Sequence, residues 1–131
     1  MLGQWLAAAV GGAIGSVARY LVQGAVQRRA DQLHGRAEVF PWGTLTVNLL
    51  GCLVIGYLVG RFEVSGRMAP ETRTFVLVGL LGGFTTFSSL GLESFALWRA
   101  TGPGLAFVNL ALSAAGGLAA VAFGFWLSRA N

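Results

Sequence analysis

Long blocks of apolar residues fill this chain, separated by short polar connections. A membrane-crossing helix needs about 20 mostly apolar residues, and four stretches meet that requirement. The first runs from about Leu2 to Gln27 and is interrupted only by Arg19. The second, Val39 to Gly60, contains no charge and follows the helix-starting "FPWG". The third runs from about Thr74 to Trp98 with Glu93 near its end, and the fourth, about Pro103 to Leu127, is uncharged. Trp5, Trp42, Trp98 and Trp126 each fall within a few residues of a span end, where amphipathic rings settle at headgroup level. The longest and most polar connection is "RRADQLHGRAE", so no room remains for a soluble domain.

Composition agrees with that pattern. Of 131 residues, 55% are hydrophobic and only 11% charged, against roughly a quarter charged in ordinary soluble domains. Mean hydropathy is +0.69. The expected fold is all-α, one four-helix transmembrane domain over residues 1–131. The stretch from Met1 to Ala18 has no charge beyond the terminal amine, so removal of a signal segment is not expected. Every basic residue is an arginine, scattered singly or as the pair Arg28-Arg29, with no basic stripe to suggest a nucleic-acid partner. One cysteine, Cys52, and one histidine, His34, make neither an internal disulfide nor a Cys/His zinc site.

Charge distribution carries a sharper message. With four spans, Arg61, Arg67, Arg73 and Arg129 share one side of the membrane, and Arg28, Arg29, Arg36 and Arg99 the other. Orientation normally follows an excess of Lys and Arg on the cytoplasmic side. Here the count is balanced, by chance or because copies insert both ways up. Two inverted copies can pair about an axis in the membrane plane, which gives a homodimer the inverted repeat that many transporters build within one chain. Gly11/Gly15, Gly56/Gly60 and Gly79/Gly83 are spaced for close helix contact, and packing is their expected role.

Polar residues inside the spans need partners. A guanidinium at membrane depth costs at least about 2.5 kcal/mol on insertion scales and normally faces protein or a water-filled cavity. Arg19 therefore either snorkels from a short first span or draws anions into a vestibule. Glu93, about one turn before Trp98, is placed to reach the interface or pair with an arginine. Asn48 offers two donors and two acceptors, for helix-to-helix bonding or for a passing anion, and composition does not choose between them.

The segment Gly82 to Ser89, "GGFTTFSS", is a poor helix former near the middle of the third span. Glycine adds backbone entropy and hydroxyls compete for backbone groups, so this helix is expected to break there. An unwound segment at such depth survives only inside protein or beside a polar cavity, and its freed carbonyls suit a small cation, sodium first. The competing outcome is a continuous helix whose hydroxyls bond back to preceding carbonyls.

"GGAIGSVARY" (Gly11 to Tyr20), "PWGTLTVNLLG" (Pro41 to Gly51) and "GGFTTFSS" occur in the order and spacing of the Fluc (CrcB) fluoride channels, and the chain resembles that family along essentially its whole length. The resemblance implies an antiparallel, dual-topology homodimer in the cell's inner (plasma) membrane, passing fluoride out of the cell and holding a central sodium ion that is not transported. It assigns sodium to the backbone carbonyls of Gly82 and Thr85. It assigns the fluoride pathway to Asn48, Phe87, Thr86 and Ser113, with Arg19 raising the local anion concentration. Donors suit fluoride, which is small and strongly hydrated: an amide, hydroxyls and the partly positive edge of an aromatic ring.

Two positions depart from the family pattern. Leu90 stands where the family usually has a second phenylalanine, and Gly117 where its fourth-span polar track often has another hydroxyl. A small dual-topology multidrug transporter has a similar length, but that chemistry needs an intramembrane acid, and the first span holds Arg19 instead. A non-conducting membrane assembly subunit would suit the glycines but leaves Arg19, Asn48 and the helix break unexplained. With no nucleophile–base pair and no metal-ligand cluster, an enzyme is not expected.

Overall fold

The computed structural model describes residues 1–34, 40–63, 66 and 68–130. Among these every regular element is helical, and four helical runs are long and apolar enough to cross a membrane. Val39, Arg36 and Arg67, which entered the span and charge expectations, lie outside the described residues.

The first span is one helix, α1 (Leu2–His34), seven residues longer than its apolar block. Apolarity fades at Arg28, but "RRADQLH" is rich in residues that tolerate a helix, so the backbone continues as a polar extension. The second span starts at α2 (Trp42–Leu58) and continues into a wider-turn π-helical segment, π1 (Val59–Glu63). Pro41 precedes α2, and its carbonyl accepts the Leu45 N–H at 3.1 Å.

The third span is composite. It begins at α3 (Pro70–Arg73), whose proline takes the first helical position, where its missing N–H costs nothing. A second π segment, π2 (Thr74–Leu81), follows, then one turn, α4 (Gly82–Phe84), two extended residues, and α5 (Phe87–Thr101). Gly102 joins α5 to the fourth span, α6 (Pro103–Arg129), with φ 85°. A Cβ there would meet no atom within 4 Å, so the left-handed backbone and not space selects glycine.

Glycine contacts decide which spans touch most closely. A Cβ on Gly15 would run into the Leu80 carbonyl, and one on Gly83 would lie 2.6 Å from the Gly12 carbonyl oxygen. The first and third spans thus meet backbone to backbone. Gly56 sits equally close to the Val121 carbonyl, and Gly124 to that of Leu53, which joins the second and fourth spans. Packing is the role these small residues play. A compact cluster of Phe40, Leu45, Leu97 and Ala106, with Trp42 and Leu49 against it, closes the end near Trp42. Elsewhere large apolar side chains such as Val10, Ile14, Val17 and Leu21 face outward.

Candidate functional site

The site grows from the two extended residues of the third span. Thr85 (φ −91°, ψ 159°) still gives its N–H to the Leu81 carbonyl at 3.0 Å, and its hydroxyl bonds the same oxygen. Thr86 (φ −151°, ψ 121°) leaves the helix. Its N–H, which a continued helix would give to Gly82 four residues back, goes to Asn48 Oδ1 at 2.8 Å. Asn48 Nδ2 donates in return to the Thr86 carbonyl at 3.1 Å. One asparagine on α2 therefore takes the Thr86 N–H that the helix gives up and adds a second bond to the Thr86 carbonyl, the group that opens α5. Gly51, one turn further along α2, lets the Thr85 methyl approach, for a Cβ at Gly51 would collide with it.

The Thr86 hydroxyl caps α5. It accepts the Ser89 N–H at 3.2 Å and donates to Ser89 Oγ at 3.1 Å, the usual way a threonine satisfies a helix's first amides. Arg19 closes the other side of the segment. Its Nε donates to the Gly83 carbonyl at 3.1 Å, 64 residues away in sequence. That bond gives the guanidinium a backbone oxygen beside the two extended residues.

Asn48, Thr86, Phe87 and Ser113 line a common cavity of about 450 Å³, together with Gly82 and Thr85. Phe87 projects into the open, 84% exposed, while Leu90 is buried in the wall. The Ser113 hydroxyl is buried with no hydrogen-bond partner. One turn beyond it, a Cβ on Gly117 would sit 3.3 Å from the Cys52 sulfur, so the thiol fills the space beside the glycine. Arg19 is the one expected site residue absent from the described cavity lining.

Two polar arrangements escaped the sequence reading. Gln23 donates to Thr44 Oγ1 at 3.0 Å, and Thr44 donates to Glu93 Oε1 at 2.7 Å, a chain across the first three spans. Glu93 was expected to pair with an arginine or reach the interface; it takes a hydroxyl instead, and its other oxygen is buried without a partner. Asn109 in α6, fully buried, donates to Ser94 at 2.9 Å and leaves its own oxygen unbonded. Asn109 lies four residues before Ser113, one helical turn along the same face. That spacing was the available signal.

Residues 6–125 match the family model described as "CrcB-like protein, Camphor Resistance (CrcB)". The chain belongs to the CrcB family. The matched range takes in Arg19, Asn48, Gly82 to Ser89 and Ser113. Among its relatives, the "Fluoride-specific ion channel FluC" of Methylobacillus flagellatus is 44% identical over 126 residues, 96% of this chain and 94% of that protein. The protein of the same name from Desulforapulum autotrophicum is 42% identical over 92% of each chain, and that from Rhizobium etli 41% over 97% of each. This CrcB chain is a multi-pass membrane protein, with four membrane-capable helical runs among its described residues.

Proposed function

We propose that this CrcB chain is a subunit of a passive, fluoride-selective channel in the cell's inner membrane, lowering internal fluoride by letting it leave. It is a channel subunit and not an enzyme, as the names of its relatives indicate for them. The observation that carries the reading is the cavity at the interrupted third span, where donors converge without a carboxylate. Asn48 keeps one amide N–H beyond its bond to Thr86, and the Ser113 hydroxyl has no partner. The Phe87 ring adds its positive edge. A pore selects an ion by replacing its water with such groups at close quarters. Arg19, fixed by Gly83, acts on the anion through its charge rather than by contact.

The working unit in this reading is an antiparallel, dual-topology homodimer. Diversion of the Thr86 N–H to Asn48 frees the Gly82 carbonyl from its helical donor, and extended Thr85 turns its carbonyl out of the helix. Both oxygens fit a small hard cation, and Gly82 and Thr85 would hold sodium through them. Two carbonyls are too few for a full shell, so a second, inverted copy supplies the remainder. Bound there, sodium supplies electrostatic cross-linking between subunits. Arg19 and Asn48 hold the backbone of the segment in shape from either side.

The test is fluoride and chloride efflux from liposomes carrying the purified protein in sodium. Fluoride efflux well above empty vesicles, with chloride at the empty-vesicle level, is the expected result. Fluoride efflux equal to that of empty vesicles overturns the reading.

A further inference from the structure

Away from the cavity, a second recess of about 540 Å³ lies between the last third of α1 and the start of α2. Its wall is apolar along Ala25, Val26 and Leu33, with Arg29, Trp42 and Thr46 as its polar members. We propose that this groove binds one anionic phospholipid, the phosphate against Arg29 and the start of an acyl chain along Ala25 and Val26.

The argument begins with depth. At 1.5 Å per residue, the 33 residues of α1 extend about 50 Å, well beyond the hydrocarbon core of about 30 Å. The Arg28-Arg29 end therefore stands among headgroups, and Trp42, opening α2, occupies the aromatic level beside it. From Arg29 the groove continues one turn deeper to Ala25 and Val26 on α1, and from Trp42 to Thr46 on α2. One charge at headgroup level, set between Leu33 one turn outward and apolar Ala25 and Val26 one turn inward, matches a lipid rather than a soluble anion.

Charge supplies the second reason. Arg29 is exposed, and the nearest acid on its helix, Asp31, is turned to Gln27, whose amide it accepts at 3.0 Å. Two residues apart on a helix, Arg29 and Asp31 face away from each other. Trp42, in the same wall, packs its ring against Phe40 and gives the groove a fixed aromatic side. Arginine presents a fork of donors that suits phosphate, and anionic lipids attract such residues at the membrane surface.

Native mass spectrometry of detergent-solubilised protein mixed with equal phosphatidylglycerol and phosphatidylcholine reads the proposal directly. Wild type is expected to retain phosphatidylglycerol at least fivefold over phosphatidylcholine. R29Q should bring that ratio near one, whereas R28Q, at the same depth but outside the groove, should leave it unchanged. A25W, on an exposed lipid-facing position, should reduce retention by filling the apolar part. An unchanged ratio in R29Q, or an equal loss in R28Q, overturns the proposal. So does inorganic phosphate at millimolar concentration displacing the lipid with no effect of A25W, which would mark a bare anion site. Fluoride efflux is a separate readout, so failure here leaves the channel reading standing, and the reverse.

Discussion

Asn48 is the residue on which the extended pair Thr85 and Thr86 depends. It replaces the helical acceptor of the Thr86 N–H, so its loss leaves that N–H unpaired at membrane depth. Each buried polar group left unsatisfied costs about 1–3 kcal/mol. Asn48→Leu should lower the unfolding midpoint in detergent and reduce fluoride efflux more than tenfold. Asn48→Asp still accepts from the Thr86 N–H but cannot return a bond, and its negative charge opposes an anion; efflux should fall with less loss of stability. Gly51 is subject to a steric limit, since any side chain there meets the Thr85 methyl. Gly51→Val should abolish a single sharp melting transition, while Gly12→Ala, where a Cβ meets nothing within 4 Å, should melt like wild type. At this scale the sequence exposed Asn48, Arg19 and the "GGFTTFSS" segment, because polar groups in apolar runs stand out. It did not expose the partnership of Gln23, Thr44 and Glu93, which depends on three spans arriving at one depth. Asn109 stands in the fourth span with no motif around it, and its burial against Ser94 follows only from how the third and fourth spans pack.

At the scale of elements, α5 depends on its first residues. Thr86 satisfies the Ser89 N–H, and removing an N-cap hydroxyl costs about 0.5–2 kcal/mol. Thr86→Val should show that loss as faster hydrogen exchange at the amides of Phe87, Ser88 and Ser89, and Thr86→Ser should restore protection. The four spans were legible because their length and apolarity follow directly from the chain. Their ends were less so. Hydropathy falls at Gln27 while α1 runs to His34, since helix formation tolerates the charges that a membrane rejects. The π segments π1 and π2 left no mark in the sequence, because an i→i+5 bonding pattern changes which residues share a face without requiring particular residue types.

At the scale of the whole molecule, the proposed assembly makes a definite prediction. Single cysteines at Phe87, in a Cys52→Ser background, should crosslink between subunits in membranes, and accessibility labels should place the N-termini of a crosslinked pair on opposite sides. Pairs with both N-termini on one side would overturn the antiparallel arrangement. Close glycine contacts also divide each chain mechanically. The first and third spans form one backbone-to-backbone unit, the second and fourth another. Gly43 against the Gln23 carbonyl, Asn109 bonded to Ser94, and Asn48 and Gly51 against Thr86 and Thr85 fasten the two units from the Trp42 end to the extended pair. Each chain is thus a pair of shears riveted along the half that runs from the Trp42 end to the extended pair, and sliding between blades is freest in the other half. Spin labels at Leu6 and Trp126, in that freer half, should give a broader distance distribution than labels at Arg28 and Leu105, at the riveted end.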